Sequence, residues 1–218
     1  MIGNKLRNAV HDLRYLLDWG YPRDSVVNFV ANHYRLALEQ RHLLARCVFS
    51  RTEGAELRRK AVKINVLRGE RLGVDGYNVL ITLESILTGG QVVRCDDSYI
   101  RDLRAIFGKY KPSLVTDRAL AELLGILRRA RPKEVVVLFD KQVSRSGELA
   151  GATRRGIKKF GLNGDSRAVS GVDFKLRAFD VVASSDRAII WRAKAVWDIP
   201  SELLRRKKAN ILELTKMT

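Results

Sequence analysis

Apolar residues recur at helical spacing three times in the first fifty positions. Leu6, Val10, Leu13, Leu16 and Leu17, with Arg, Lys and Asp between them, predict an amphipathic helix over 3–18 that stops at Gly20. Tyr21-Pro22-Arg23-Asp24-Ser25 opens a second helix through Val26, Val27, Phe29 and Val30, and a third follows over 36–49. Residues 52–69 are charged and glycine-punctuated, with little apolar periodicity before Val66, and read as a connection. Beyond residue 70 the pattern changes to short apolar runs separated by helical stripes. Strands are predicted over 71–75, 91–95, 134–139, 166–169 and 179–186. Helices are predicted from Asp75 through Ile86 to Thr88-Gly89-Gly90, over 117–129, and around Ile157 and Phe160. The stripe Ile100, Leu103, Ile106 and Phe107 reads as another helix, for which Asp97-Ser98 would be the cap. Strands alternating with helices imply an α/β domain, a parallel sheet flanked by helices, preceded by a small all-helical unit. The expected units are 1–51 (helical), 52–69 (connection), 70–205 (α/β) and 206–218 (a basic C-terminal tail).

The strands share a feature that bears on chemistry: each delivers an acid where it ends. Val74 leads into Asp75, Phe139 into Asp140, the run ending at Val169 into Asp173, and Val181-Val182-Ala183-Ser184-Ser185 into Asp186. Carboxyl ends of parallel strands form the edge at which ligands bind in open α/β sheets. Carboxylates converging there repel one another unless a divalent cation lies between them, and hard oxygen donors beside a phosphate point to Mg²⁺ or Mn²⁺. Gly76 allows a close backbone approach, and Asn78 is placed to hold Asp75 or a ligand oxygen. The competing reading makes Asp75 a helix N-cap with Asn78 turned to solvent. Asp96 and Asp97 either approach the same site or, the preferred reading, cap a helix, while Glu84 lies far along its helix.

Charge narrows the partners. Of 218 residues, 41 are Lys or Arg and 24 Asp or Glu, a net +17, while 46% are hydrophobic, enough for a real core. Such an excess calls for a polyanion. With no apolar run of spanning length and no signal-peptide pattern, RNA or DNA is preferred to a membrane, and a cytoplasmic location is expected. The polar, cationic loop Lys141 to Gly147, with Lys141, Ser144 and Arg145, suits backbone phosphates. Arg154, Arg155 and Lys158 on the following helix are either further phosphate contacts or a solvated face. The amino-terminal helices, with Arg35, Arg41, Arg46 and Arg51, are either a nucleic-acid module or packing and oligomerisation helices, a dimer among the possibilities. Cys47 and Cys95 match no zinc spacing and are read as reduced thiols in separate units.

The blocks VDGYNV (Val74 to Val79), VVVLFDKQVSRSG (Val135 to Gly147) and VVASSDRAIIWRAKAVWDIPSELL (Val181 to Leu204) resemble the YacP-like branch of the NYN domains, within the PIN-like nuclease superfamily. The resemblance covers residues 70 to 205. The helices before it resemble those of an uncharacterised archaeal family that joins a helical unit to a PIN-like domain. The resemblance implies a metal-dependent endoribonuclease, with Asp75, Asp140 and Asp186 as motif acids and Asn78 in support. Such domains place a fourth acid at the start of a full helix before the final strand. Here Asp173 takes that role, with Asp180 as the alternate. The expected assignment is Mg²⁺ or Mn²⁺ on Asp75, Asp140, Asp173 and Asp186, with Ser184 orienting ligands or water. RNA, with tRNA, rRNA and ribosome-associated mRNA in view, would lie against Lys141, Ser144, Arg145, Arg154, Arg155, Lys158 and Arg187. The alternative is a non-catalytic RNA- or ribosome-binding adaptor on the same fold.

Overall fold

The computed structural model describes residues 3–104 and 110–217. Among them, four parallel strands form the central sheet: β1 (Arg71–Asp75), β4 (Glu134–Asp140), β5 (Gly164–Val169) and β6 (Val181–Ala183), in the order β5-β4-β1-β6. A smaller sheet holds β2 (Val92–Arg94), antiparallel to β3 (Ile100–Asp102) and parallel to β7 (Ile211–Glu213). Helices α1 (Asn4–Asp18), α2 (Arg23–His33), α3 (Leu38–Cys47) and α4 (Arg51–Arg59) precede the sheet. The others are α5 (Gly76–Leu87), α6 (Leu114–Ala130), α7 (Ser146–Lys159), α8 (Val172–Leu176), α9 (Arg187–Arg192) and α10 (Ile199–Leu204). The expected α/β class with a helical region in front is what the chain adopts.

Because side chains alternate across a strand, β4 feeds two cores. Val135, Val137 and Phe139 pack with residues of α5, α6, α7 and α10, whereas Val136 and Leu138 join a cluster that runs through Leu13, Val30, Leu44 and Leu57 of the amino-terminal helices. The helical region thus belongs to one continuous cluster with that face of the sheet, against which Leu176 of α8 and Phe179 pack at Gly73.

Three expected elements are corrected. The stretch read as a connection is half helix: Ser50 accepts a bond from Glu53 N as the cap of α4, and Leu57 is fully buried. The charged turns show no obvious stripe because α4 buries little else but Gly54, which lies against the Asp96 carbonyl. The stripe at Ile100 and Leu103 begins as strand β3, since Ile100 N is taken by Asp198 Oδ2 and Ile100 pairs with Arg94; Ile106 and Phe107 lie outside the described residues. The basic tail folds back as β7, burying Leu212, Leu214 and Met217, with Arg14 of α1 donating to the carbonyls of Leu214 and Met217. Cys47 and Cys95, expected in separate units, are free, buried neighbours, and burial pushes the Cys95 thiol up, helped by its hydrogen bond with Cys47. Among the described residues no helix is long and apolar enough to cross a membrane.

Candidate active site

The chain lays β4 and then β5 on one side of β1 before returning to place β6 on the other. The strand order thus reverses between β1 and β6, and the carboxyl ends of these two strands are where an open sheet of this kind forms its crevice for ligands. Asp75 stands on one lip and Ser184-Ser185-Asp186 on the other. Asp75 does cap α5, accepting from Asn78 N at 3.4 Å, but its other oxygen accepts from Ser184 Oγ at 3.0 Å. Ser184 Oγ in turn accepts from Asp186 N at 3.1 Å. Asn78 does not face solvent: its Oδ1 accepts from Ser185 N (2.8 Å) and Ser185 Oγ (3.0 Å), tying the first turn of α5 to the β6 loop. Gly76 is required by packing, because a Cβ there would lie 2.4 Å from the Phe139 ring. The cap reading and the site reading of Asp75 thus describe two oxygens of one carboxylate.

Asp140 closes the crevice on the β4 side, its Oδ1 accepting from Gln142 N at 2.9 Å to start the Lys141 loop. Asp186 spends Oδ1 on the amino end of α9, accepting from Ala188 N and Ile189 N. Burial pushes the Asp75 carboxyl up to about 6; the Ser184 and Asn78 bonds oppose the shift, and the charges of Asp186 and Asp140 add to it. The Tyr77 phenol is pushed up to about 12, by burial first and then by Asp140. A buried carboxylate with two acidic neighbours, and no cationic partner among the described residues, suits a divalent cation. Among the described residues no group of three or more His, Cys, Asp or Glu forms a ready-made metal cage. That donor set matches Mg²⁺ habits, in which one or two carboxylates bind and water and substrate phosphate complete the shell.

Beside the crevice lies a cleft of about 850 Å³ lined by Tyr77, Asn78, Glu84, Arg104, Tyr110, Lys111, Gln142 and Ser144, among others. Glu84 builds its wall: it is buried, accepts from Tyr110 Oη (2.6 Å) and Thr116 Oγ1 (2.7 Å), and lies 3.7 Å from Arg104. The Tyr77 hydroxyl, on the same wall, is buried with no hydrogen-bond partner among the described residues. The sequence block VDGYNV assigns Tyr77 no role of its own; its place two residues after Asp75 is the available signal.

The remaining predicted residues fall into two sets. Lys141 and Ser144 are exposed in the loop after Asp140, Arg145 begins α7 paired with Glu148 at 2.7 Å, and Arg155 and Lys158 are exposed along α7. Lys141, Ser144 and Arg145 stand at the carboxyl edge of the sheet, whereas α7 carries Arg155 and, further, Lys158 back toward the amino edge, where β5 begins at Gly164. Arg154 is committed elsewhere, to Asp165 Oδ1 (2.6 Å) and the Ser166 carbonyl (2.7 Å), fastening α7 to β5. Arg187 pairs with Glu53 of α4, which also lies 3.8 Å from Arg23, so the helical region buttresses the residue next to Asp186. Asp173 sits exposed in the first turn of α8, after β5, with β4 between its strand and β1. Asp180, the alternate, lies at the wrong end of the sheet: its Oδ2 accepts from Arg71 N, at the amino end of β1. Asp96 and Asp97 are not caps of a helix over Ile100 and Leu103. Asp96 accepts from Arg14 (2.6 and 3.0 Å) and Phe49 N, and Asp97 forms a fully buried pair with Arg101. Arg101 Nε donates to the Ser185 carbonyl at 2.7 Å, so this pair positions the β6 loop from behind. No feature of the sequence marked Arg101, whose neighbours read as a helix.

Residues 5–60 match the model of a Protein of unknown function (DUF434). An uncharacterized protein of Methanocaldococcus jannaschii is 38% identical over 205 residues, covering 93% of this chain and 98% of that protein. No solved structure gives a significant match. The match over residues 64–202 spans the sheet, the crevice and its cleft, and by it the chain belongs to the family described as Domain of unknown function (DUF5616).

Proposed function

We propose that this protein is a metal-dependent endoribonuclease of the PIN-like, NYN type, hydrolysing RNA phosphodiester bonds in the crevice between β1 and β6. The observation that carries the reading is Asp75: a buried carboxylate raised to about 6, flanked by the charges of Asp186 and Asp140, at the switch in strand order. Asp75 with Asp140 or Asp186 would hold Mg²⁺ or Mn²⁺. When bound, such an ion supplies an activated water and stabilises negative charge on phosphate oxygens. Ser184 holds the Asp75 carboxylate in one rotamer, and Asn78 fixes the Ser185 backbone, so both lips of the crevice keep their spacing. Tyr77 lines the cleft, and its hydroxyl, buried and without a partner among the described residues, would turn outward to donate to substrate; Lys141 with Lys111 offers charge to flanking phosphates.

The test is cleavage of labelled structured RNA, single-stranded RNA and DNA with Mn²⁺ or with EDTA, comparing the wild type with Asp75→Asn. Cutting that needs metal and is lost in the variant supports the assignment; equal cutting by both proteins refutes it. A second reading, an RNA- or ribosome-binding adaptor, is favoured by the lack of a three-acid cluster among the described residues. It expects RNA binding without cleavage or Mn²⁺ affinity.

A further inference from the structure

A second cleft lies at the opposite end of the sheet. It has a volume of about 650 Å³, between the turn Ile64–Leu67 and the carboxyl end of α6, and Arg68, Arg128, Arg129 and Arg131 line it. Arg68 precedes β1 by three residues and Arg131 precedes β4 by three, and an Arg68–Pro132 bridge holds the two segments together. Both strands run away from this cleft toward Asp75 and Asp140. Seven residues of β4 separate the two ends, about 20 Å at the rise of a strand.

No carboxylate lines the cleft, and among the described residues none of the four arginines makes an ion pair or side-chain hydrogen bond. The negative end of α6 accounts for Arg128 and Arg129 in its last turn. It does not account for Arg68, which arrives from another segment, or for Arg131, which leaves the helix in a left-handed conformation at φ 52°. Four exposed guanidiniums around one concavity repel one another, and a planar fork of donors is the group best matched to phosphate oxygens. We infer that this cleft is a second phosphate-binding site, holding the backbone of the RNA whose scissile bond lies in the crevice. The identity of the ligand rests on the ribonuclease reading; the site itself does not. An RNA reaching both ends is longer than about 20 Å, which makes the substrate a folded or extended RNA rather than an oligonucleotide of two or three residues.

The test replaces Arg68, Arg128, Arg129 and Arg131 together by Gln. A control of equal charge replaces Lys5, Arg7, Lys194 and Lys216, exposed residues away from both sites. Anisotropy of a labelled RNA hairpin is measured in EDTA between about 0.05 and 0.2 M salt. Each lost phosphate contact makes the slope of log K against log salt shallower by about 0.7 to 0.9, so four contacts change it by about 3, roughly a 60-fold smaller loss of affinity over that range. The control is expected to keep the wild-type slope. Equal changes in both variants would overturn the site, since net charge alone would then be responsible. So would an unchanged RNA slope accompanied by lost binding to phosphatidylserine vesicles, which would make the ligand a membrane headgroup. Asp75→Asn in parallel separates the two claims: cutting that survives it removes the nuclease assignment and leaves the cleft result standing, and an unaltered slope in the cleft variant does the reverse.

Discussion

Replacing Asp75 with Asn should make the protein more stable at neutral pH. Folding moves this carboxyl from its ordinary 3.8 up to about 6, mainly by burial. The folded state thus holds the proton more tightly than the unfolded state. Between about pH 4 and pH 6 the unfolded chain releases its proton first, so stability falls as pH rises, and the full penalty is present above pH 6. At about 1.36 kcal/mol per unit the shift corresponds to roughly 3 kcal/mol. The amide that replaces the carboxylate would keep one acceptor, for Asn78 N, and present its NH2 to Ser184 Oγ, which can accept instead of donate, while carrying no charge. For a chain of this size that is about 6–12 °C in melting temperature. Thermal melts of both proteins from about pH 4 to pH 8 in EDTA should show curves that coincide near pH 4 and separate by pH 7. Mn²⁺ should then raise the wild type alone. Equal melting temperatures at about pH 7, or a gap that persists unchanged to pH 4, would refute the account of Asp75 as an uncompensated buried charge.

Arg101→Met leaves Asp97 buried without its partner and releases the Ser185 carbonyl; urea unfolding should report a loss of about 3–5 kcal/mol. Gly76→Ala forces a methyl against the Phe139 ring and should cost about 1–3 kcal/mol in the same assay, with the helix content by circular dichroism retained. Tyr77→Phe removes a buried hydroxyl that has no partner among the described residues, so stability should hold or rise by about 1 kcal/mol while RNA cleavage falls; a stability loss above that size would show that the hydroxyl is bonded within the fold.

The parts of the fold that were legible are those whose burial is written in one local pattern. β4 is a run of apolar residues buried on both faces, and α6 carries Leu120, Leu123, Leu124 and Leu127 on one side; both were predicted within a few residues of where they form. Asp75, Asp140 and Asp186 were legible as strand-end acids, and Asn78 as a partner, though its bonding to Ser185 was not. What escaped depends on distant residues. α4 buries little beyond Leu57 and Gly54, β3 is a strand because Arg94 and Asp198 receive it, and β7 needs β2. Arg101 and Asp97 are charged residues at zero to one per cent exposure, which no pattern based on polarity anticipates. Asp180 was separable from the site only by knowing which end of β1 it meets.

The clasp between Arg14 and the carbonyls of Leu214 and Met217 joins residues 200 and 203 positions apart. During synthesis at about 5–20 residues per second, Arg14 and the helices around it wait roughly 10–40 s for their partners. Meanwhile β2 has no parallel neighbour, and the Arg14 guanidinium that binds Asp96 holds an unfinished set of contacts. The protein's assembly is therefore gated by translation: β2 keeps an unpaired edge until residue 213 has been made, and a chain stopped before that point exposes a strand that chaperones or proteases can recognise.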